Sequence, residues 1–281
     1  MLGFLVVDKP KGITSHDVVK EVRKLVKDKV GHCGTLDPLA TGVLILSVGR
    51  ATRLSEYLLK QDKCYLVKGV FGYDSDTYDT DGNIKKVECK KISKEELEAT
   101  LPKFKGKIKQ VPPPFSAVRV KGKRAYELAR KGEKVELPER EVEIYKIELI
   151  DYNFPEFVIN VCCSSGTYIR SLVHDIGKRL GCSAIVSELR RTKIGEITVN
   201  KAIKLNQLNK ENIAKHLLNP EKILPLPTLS LTEELSLKRF KNGAPLKVKE
   251  KDGLYSVLFN EKFIGVGKVK NNVLKAEKVI L

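Results

Sequence analysis

Apolar residues change their spacing several times along the 281-residue chain, and the changes predict both strands and helices. A strand is predicted over residues 4–7, ended by Asp8-Lys9-Pro10-Lys11-Gly12, whose Pro and Gly signal a turn. Ser15 then reads as an N-cap, Asp17 falls in the first turn, and Val18, Val19, Val22, Leu25 and Val26 share one helical face. Residues 31–42 form a loop with three glycines and a proline, leading into a buried strand at 43–48. A helix at 52–60, a strand at 65–71, a helix at 93–101, alternating strands at 141–149 and 157–163, and a helix at 168–180 follow. Strands and helices mix without a regular βαβ rhythm. The fold class this predicts is α+β, with a mixed, largely antiparallel central sheet flanked by helices.

Residues 219–227 contain Pro220, Pro225 and Pro227 and read as a linker. It divides the chain into a main domain at 1–225 and a small β-rich module at 229–281. That module carries eleven Lys/Arg against six Asp/Glu, a net charge of +5.

Charge narrows the choice of partner. The chain has a formal net charge of +17, which favours a polyanion. Residues 101–134 hold eleven basic side chains, Lys121, Lys123 and Arg124 among them, against Glu127 and Glu133. Over half the excess lies in this stretch, interleaved with Phe104, Phe115 and Tyr126. No long basic amphipathic helix accompanies it, so nucleic acid is the better reading than a membrane surface. The longest apolar run, residues 42–49, is strand-sized, and the N-terminus shows no basic leader or cleavage pattern. A cytoplasmic protein is expected. The six cysteines and four histidines form no CxxC pair and no paired metal-ligand spacing. Reduced, mostly buried thiols are expected, with no structural zinc. The phosphate-cradling pattern GxxxxGK[ST] is absent.

The sharpest local feature is Gly31-His32-Cys33-Gly34-Thr35-Leu36-Asp37-Pro38 and the residues after it. Pro38 pushes Asp37 toward an extended conformation, and the glycines allow close backbone approach. One carboxylate held there, beside His32 and ahead of a buried strand, suits nucleophilic or electrostatic catalysis. Asp-Pro alone is also an ordinary turn signal. The acidic run Asp74, Asp76, Asp79 and Asp81 invites a calcium reading. Thr77 stands where the first aspartate of an EF-hand loop belongs, and a strand precedes it, so calcium is set aside.

The Asp37 loop resembles the catalytic loop of the TruB-type pseudouridine synthases, and it is one of several matching stretches. Residues 5–16 (LVVDKPKGITSH) resemble that family's first motif, and YLVKGVFGYDSDTYDTDG its tyrosine strand and acidic turn. SSGTYIRSLVHDIGKRLG resembles its arginine motif, VPPPFSAVRVKGKRAYELARKG the insertion of the bacterial, tRNA-modifying branch, and the last fifty residues a PUA RNA-binding domain. The resemblance implies the pseudouridine synthase fold, with a basic RNA-binding insertion at about 103–134. It also implies isomerisation of the T-loop uridine of tRNA (nucleotide 55) on a flipped-out base, without cofactor, metal or membrane.

By the same resemblance Asp37 is the nucleophile. Arg170 is its guanidinium partner, with a planar fork that also takes Asp79. Tyr65 is the active-site tyrosine, and Tyr168 and Leu189 line the uracil pocket. His32 occupies the space the base vacates, while Lys9, Arg190, Arg191, Lys121, Lys123 and Arg124 contact the RNA. A monomer binding the tRNA T-arm without an obligatory protein partner is expected. A guide-RNA-dependent synthase, or an RNA-binding or tRNA-folding factor, would share much of this surface. Neither residues nor resemblance decide whether Asp37 attacks C1′ or C6.

Overall fold

A computed structural model of the chain describes residues 1–116, 119–120, 123–125 and 137–280. They pack into two compact units, the first made of Met1–Leu36, Val43–Lys60 and Asn200–Leu281, the second of Asp37–Gly42 and Gln61–Val199.

The first unit opens with β1 (Leu2–Lys9), α1 (Ser15–Val26), β2 (Val30–His32), β3 (Thr41–Gly49, its first two residues counted in the second unit) and α2 (Ser55–Leu59). The helix cap is Thr14 rather than Ser15. The Thr14 hydroxyl accepts from the Asp17 amide at 3.0 Å, and the Asp17 carboxylate accepts from the Thr14 amide at 3.0 Å, a reciprocal capping box. This leaves the Ser15 hydroxyl for the chain further on, where it accepts from the Leu36 amide at 2.8 Å. Val18, Val19, Val22 and Val26 are buried, as their spacing predicts. β2 and β3 pair antiparallel, with Val30 opposite Val48 and His32 opposite Leu46.

The second unit contains β4 (Lys63–Phe71), β5 (Tyr73–Ser75), β6 (Ile84–Lys86), α3 (Lys94–Thr100), β7 (Gly106–Gln110), β8 (Arg119–Val120), β9 (Lys123–Arg124), β10 (Arg140–Asn153), β11 (Glu156–Cys163), α4 (Ile169–Arg179), β12 (Ala184–Ile194) and β13 (Ile197–Thr198). Its sheet runs in the order β12-β4-β11-β10-β7, and every neighbouring pair is antiparallel. β4 alternates buried residues with half-buried or exposed ones along its nine positions, as a sheet with one covered face requires. Its Gly69 faces Phe157 across the ladder, and the Phe157 ring occupies the space a Cβ would need. That ring also packs on Phe71, with centroids 4.6 Å apart.

Two disulfides overturn the expectation of reduced cysteines. Cys64 and Cys162 stand opposite each other in the β4–β11 register with Cα atoms 4.1 Å apart, and Cys89 is bonded to Cys182. Spacing in sequence carried no sign of this, because the bonded pairs are 98 and 93 residues apart. Cys33 and Cys163 are free and buried.

The first unit resumes with β14 (Ile203–Lys204), parallel to β1, and the short helices α5 (Ile213–His216) and α6 (Pro220–Ile223). The proline-rich segment is packed rather than a free linker. Leu218 and Phe4 exchange backbone hydrogen bonds of 2.7 and 2.9 Å, and Pro220 and Ile223 are buried. Then come β15 (Thr228–Leu231), α7 (Glu234–Lys241), β16 (Leu246–Lys247), β17 (Gly253–Phe259), β18 (Lys262–Lys270) and β19 (Val273–Val279). These strands form a separate five-stranded sheet, β15-β17-β18-β19-β16, over a core that includes Leu231, Phe240, Val257 and Leu274. Among the described residues no helix is long and apolar enough to cross a membrane.

Filling the Gly69 position tests how tightly β4 is held. Gly69→Ala places a methyl carbon 2.2 Å from a Phe157 ring atom, and the forced shift should cost about 1–3 kcal/mol. Urea unfolding monitored by circular dichroism is expected to show a lower midpoint with an unchanged slope.

Candidate active site

Asp37 begins a tight turn. Its carbonyl accepts from the Ala40 amide at 3.0 Å, with Pro38 in the second position, where a fixed φ suits a β-turn. The chain then enters β3 beside β12, with Thr41 opposite Arg190 and Gly42 opposite Arg191. Gly42 has φ +100°, and a Cβ there would lie 2.1 Å from the Arg191 carbonyl oxygen. Only glycine allows that approach, so Gly42 fixes where the Asp37 turn meets the sheet.

The Asp37 carboxylate meets Arg170, in the first turn of α4. Arg170 Nε lies 2.9 Å from Asp37 Oδ2, and Nη2 donates to Oδ1 at 3.3 Å. The same guanidinium donates from Nη1 to the Thr77 carbonyl at 2.8 Å and from Nη2 to the Phe115 carbonyl at 3.1 Å. Its Nε is 3.7 Å from Asp79 Oδ2. Both Arg170 and Asp79 are buried, with side chains 7% and 5% exposed, whereas Asp37 is 35% exposed. One carboxylate of the three-charge group is therefore open to an incoming molecule.

Asp79 is fixed independently of Arg170. Its Oδ1 accepts from the Thr77 hydroxyl at 2.5 Å and the Asp81 amide at 3.0 Å. Burial raises the Asp79 carboxyl above the ordinary aspartate value, while Thr77, Arg170 and the Asp81 amide oppose it. The acidic turn is laced to β12 by the Thr80 amide on the Val186 carbonyl and the Val186 amide on the Tyr78 carbonyl, both 3.0 Å.

Tyr65 lies on β4 opposite Arg191 on β12, and Val67 lies opposite Leu189. Residues opposite one another, and two apart along a strand, share a face, so these four line one patch of sheet. Burial raises the Tyr65 phenol above its ordinary value, and Arg191 beside it opposes the rise. Tyr168, which precedes α4, is held by its backbone. The Gln110 side chain accepts from the Tyr168 amide at 2.8 Å and donates to its carbonyl at 3.0 Å.

The structure thus gathers Asp37, Asp79 and Arg170 into direct contact and places Tyr65, Leu189 and Arg191 together on the neighbouring sheet. Two expected phosphate contacts need correction. Lys9 is fully buried, with Nζ donating to the Pro10 and Ile13 carbonyls at 2.8 and 2.6 Å, where it ties the first turn. Arg191 is 1% exposed and faces Tyr65. Neither presents its charge to a phosphate. Arg190 is half-buried and donates to the Thr41 hydroxyl at 3.3 Å. His32 ends β2 in the other unit, half-buried. Lys121 lies outside the described residues, as do the side chains of Lys123 and Arg124, whose backbone pairs with β8.

Sequence reading missed Gln110 and the carbonyls of Thr77 and Phe115. Backbone acceptors leave no mark in a sequence. A glutamine ending the Gly-Lys-Ile-Lys-Gln strand gives only one sign, a polar residue at a position whose alternation points inward.

α4 also carries Asp175, whose carboxyl burial pushes up to about 6, with Lys178 pulling the other way. A proton held in the folded state and released in the unfolded one makes stability fall as pH rises from about 4 to 6. Asp175→Asn removes that slope. It should match the wild type near pH 4 and exceed it by up to about 3 kcal/mol at pH 7.5, read from urea unfolding at the two values.

Comparison with known proteins identifies what the chain is similar to. Residues 22–169 match the N-terminal domain of the TruB family of pseudouridylate synthases, and residues 170–229 match the tRNA pseudouridylate synthase B C-terminal domain. The tRNA pseudouridine synthase B of Aquifex aeolicus is 42% identical, with all of both chains covered. The protein of that name from Thermosipho melanesiensis is also 42% identical, over 99% of this chain and 94% of its own. Among solved structures, an H/ACA RNP bound to a substrate RNA containing 2'-deoxyuridine matches with a TM-score of 0.75 and 25% identity, over 99% of this chain and 85% of that one.

Proposed function

The chain belongs to the TruB family of pseudouridylate synthases, and on that footing we propose that it isomerises a tRNA uridine, the T-loop nucleotide 55, with Asp37 as nucleophile. The observation that carries this reading is the half-exposed Asp37 carboxylate gripped through both oxygens by a buried arginine. A carboxylate so held presents a fixed, charged oxygen to one electrophilic carbon while its rotation is restrained.

In this reaction the N1–C1′ bond breaks, a C5–C1′ bond forms, the C5 proton passes to water and N1 regains a proton. No electrons or groups are exchanged with a second substrate. Arg170 keeps Asp37 oriented, with the buried Asp79 close to the same guanidinium. Tyr65, with Arg191 against it, offers a ring for the base to stack on and a phenol near C5. Tyr168 and Leu189 complete the uracil pocket, and His32 takes the space the flipped base leaves in the RNA. Basic side chains, Arg190, Lys121, Lys123 and Arg124 among them, hold the T-arm phosphates.

A tRNA substrate is supported by full-length identity near 40% to relatives named for tRNA, and on that substrate we propose action as a monomer without guide RNA or protein partner. Identity to the ribonucleoprotein component is 25%.

Incubation with tRNA tritiated at C5 of uridine, with nothing else added, should release one tritium per molecule into water. Asp37→Asn should abolish release while leaving tRNA affinity within a few-fold, because phosphate contacts dominate binding. Comparable release by the variant would remove Asp37 from the mechanism, and release only after adding guide RNA and partner proteins would favour the guided enzyme. Replacing Lys121, Lys123 and Arg124 together by Gln should weaken tRNA binding and flatten its salt dependence by about 2–3 in the log–log slope. An unchanged slope would place the basic insertion away from the RNA.

A further inference from the structure

Tyr78 sits in the acidic turn with φ +61°, a left-handed conformation that a bulky side chain rarely adopts and glycine adopts freely. Its backbone is pinned on both sides, the amide on the Ser75 carbonyl at 3.1 Å and the carbonyl under the Val186 amide at 3.0 Å. Its ring lies flat on the imidazole of His174, with centroids 3.9 Å apart and planes 11° from parallel.

His174 is one helical turn beyond Arg170 on α4, so the two side chains leave the same face. The acidic turn is thus gripped twice by that face. Arg170 takes the carbonyl of Thr77 and lies against the carboxylate of Asp79, while His174 takes the ring of the residue between them. His174 is 6% exposed, and its Nδ1 is buried without a hydrogen-bond partner among the described residues. The imidazole ring packs against that of Tyr78.

We propose that Tyr78 and His174 are a positioning pair, a ring stack that fixes the acidic turn on α4 so that Arg170 is held in line with Asp37. This rests on the isomerase reading above and adds two residues to it. Neither touches the group that reacts. Each acts through Arg170, whose Thr77 and Asp79 contacts flank the stacked ring. A slack turn would let the guanidinium follow Asp79 away from Asp37, slowing the chemical step with little change in tRNA binding.

Tritium release gives kcat and KM for the wild type and four variants, with melting temperatures measured alongside. Tyr78→Gly suits the left-handed backbone but lacks the ring. It should melt within a few degrees of the wild type, lose about tenfold in kcat, and keep KM within twofold. Tyr78→Phe keeps the ring and should keep kcat within twofold. On the other side, His174→Phe should retain turnover and His174→Leu should lose it, which secures the test if Tyr78→Gly folds poorly. Wild-type kcat in both Tyr78→Gly and His174→Leu would overturn the pair. So would equal losses in the ring-keeping and ring-lacking variants. Absence of release by the wild type would instead overturn the isomerase reading itself.

Discussion

One buried guanidinium organises the second unit. Arg170 places its donors on the Asp37 carboxylate and the carbonyls of Thr77 and Phe115, with Asp79 close by. These groups come from three separate stretches of chain. A cation withdrawn from water is costly unless fully paired, and removing one partner of such a group costs about 3–5 kcal/mol. Arg170 therefore cannot settle until the Asp37 turn, the acidic turn and the segment after β7 have all arrived. Site geometry and local packing therefore depend on the same contacts.

The sheet supplies the rigidity on which that cluster depends. β12 meets the Asp37 turn through Gly42, faces β4 at Tyr65 and Val67, and is laced to the acidic turn through Val186. A slip of one residue in β12 would turn Leu189 and Arg191 to the opposite face and break all three relations together. Gly42 is part of this specification, because no larger residue would allow the parallel contact with Arg191.

Much of this is legible in the sequence. Periodicity found the main strands and helices, and the α+β class follows from their order. Resemblance brought Asp37, Tyr65, Asp79 and Arg170 forward by position. Failures occurred where a residue's environment, rather than its type, decides what it does. Lys9 and Arg191 carry charges that usually face water, yet one serves backbone carbonyls and the other a phenol. The proline-rich segment reads as a linker, but its Pro220 and Ile223 are buried and its Pro227 carbonyl accepts from the Ser256 amide. Cys64 and Cys162 meet only because β4 and β11 are neighbours in register. Each is a long-range pairing, and local spacing does not encode it.

The charge distribution sets two demands against each other. A surface rich in Lys and Arg draws in a polyanion and holds it through phosphates, whereas the Asp37 group contains two carboxylates and one guanidinium. Phosphates docked nearby would repel an exposed pair of acids. Burying Asp79 relieves this, since its carboxyl is pushed up and screened by Arg170, Thr77 and the Asp81 amide. Of the two carboxylates only Asp37 is then open to solvent, already ion-paired. Asp79 is thus a buried electrostatic support, and within the Arg170 cluster it leaves Asp37 as the one accessible carboxylate.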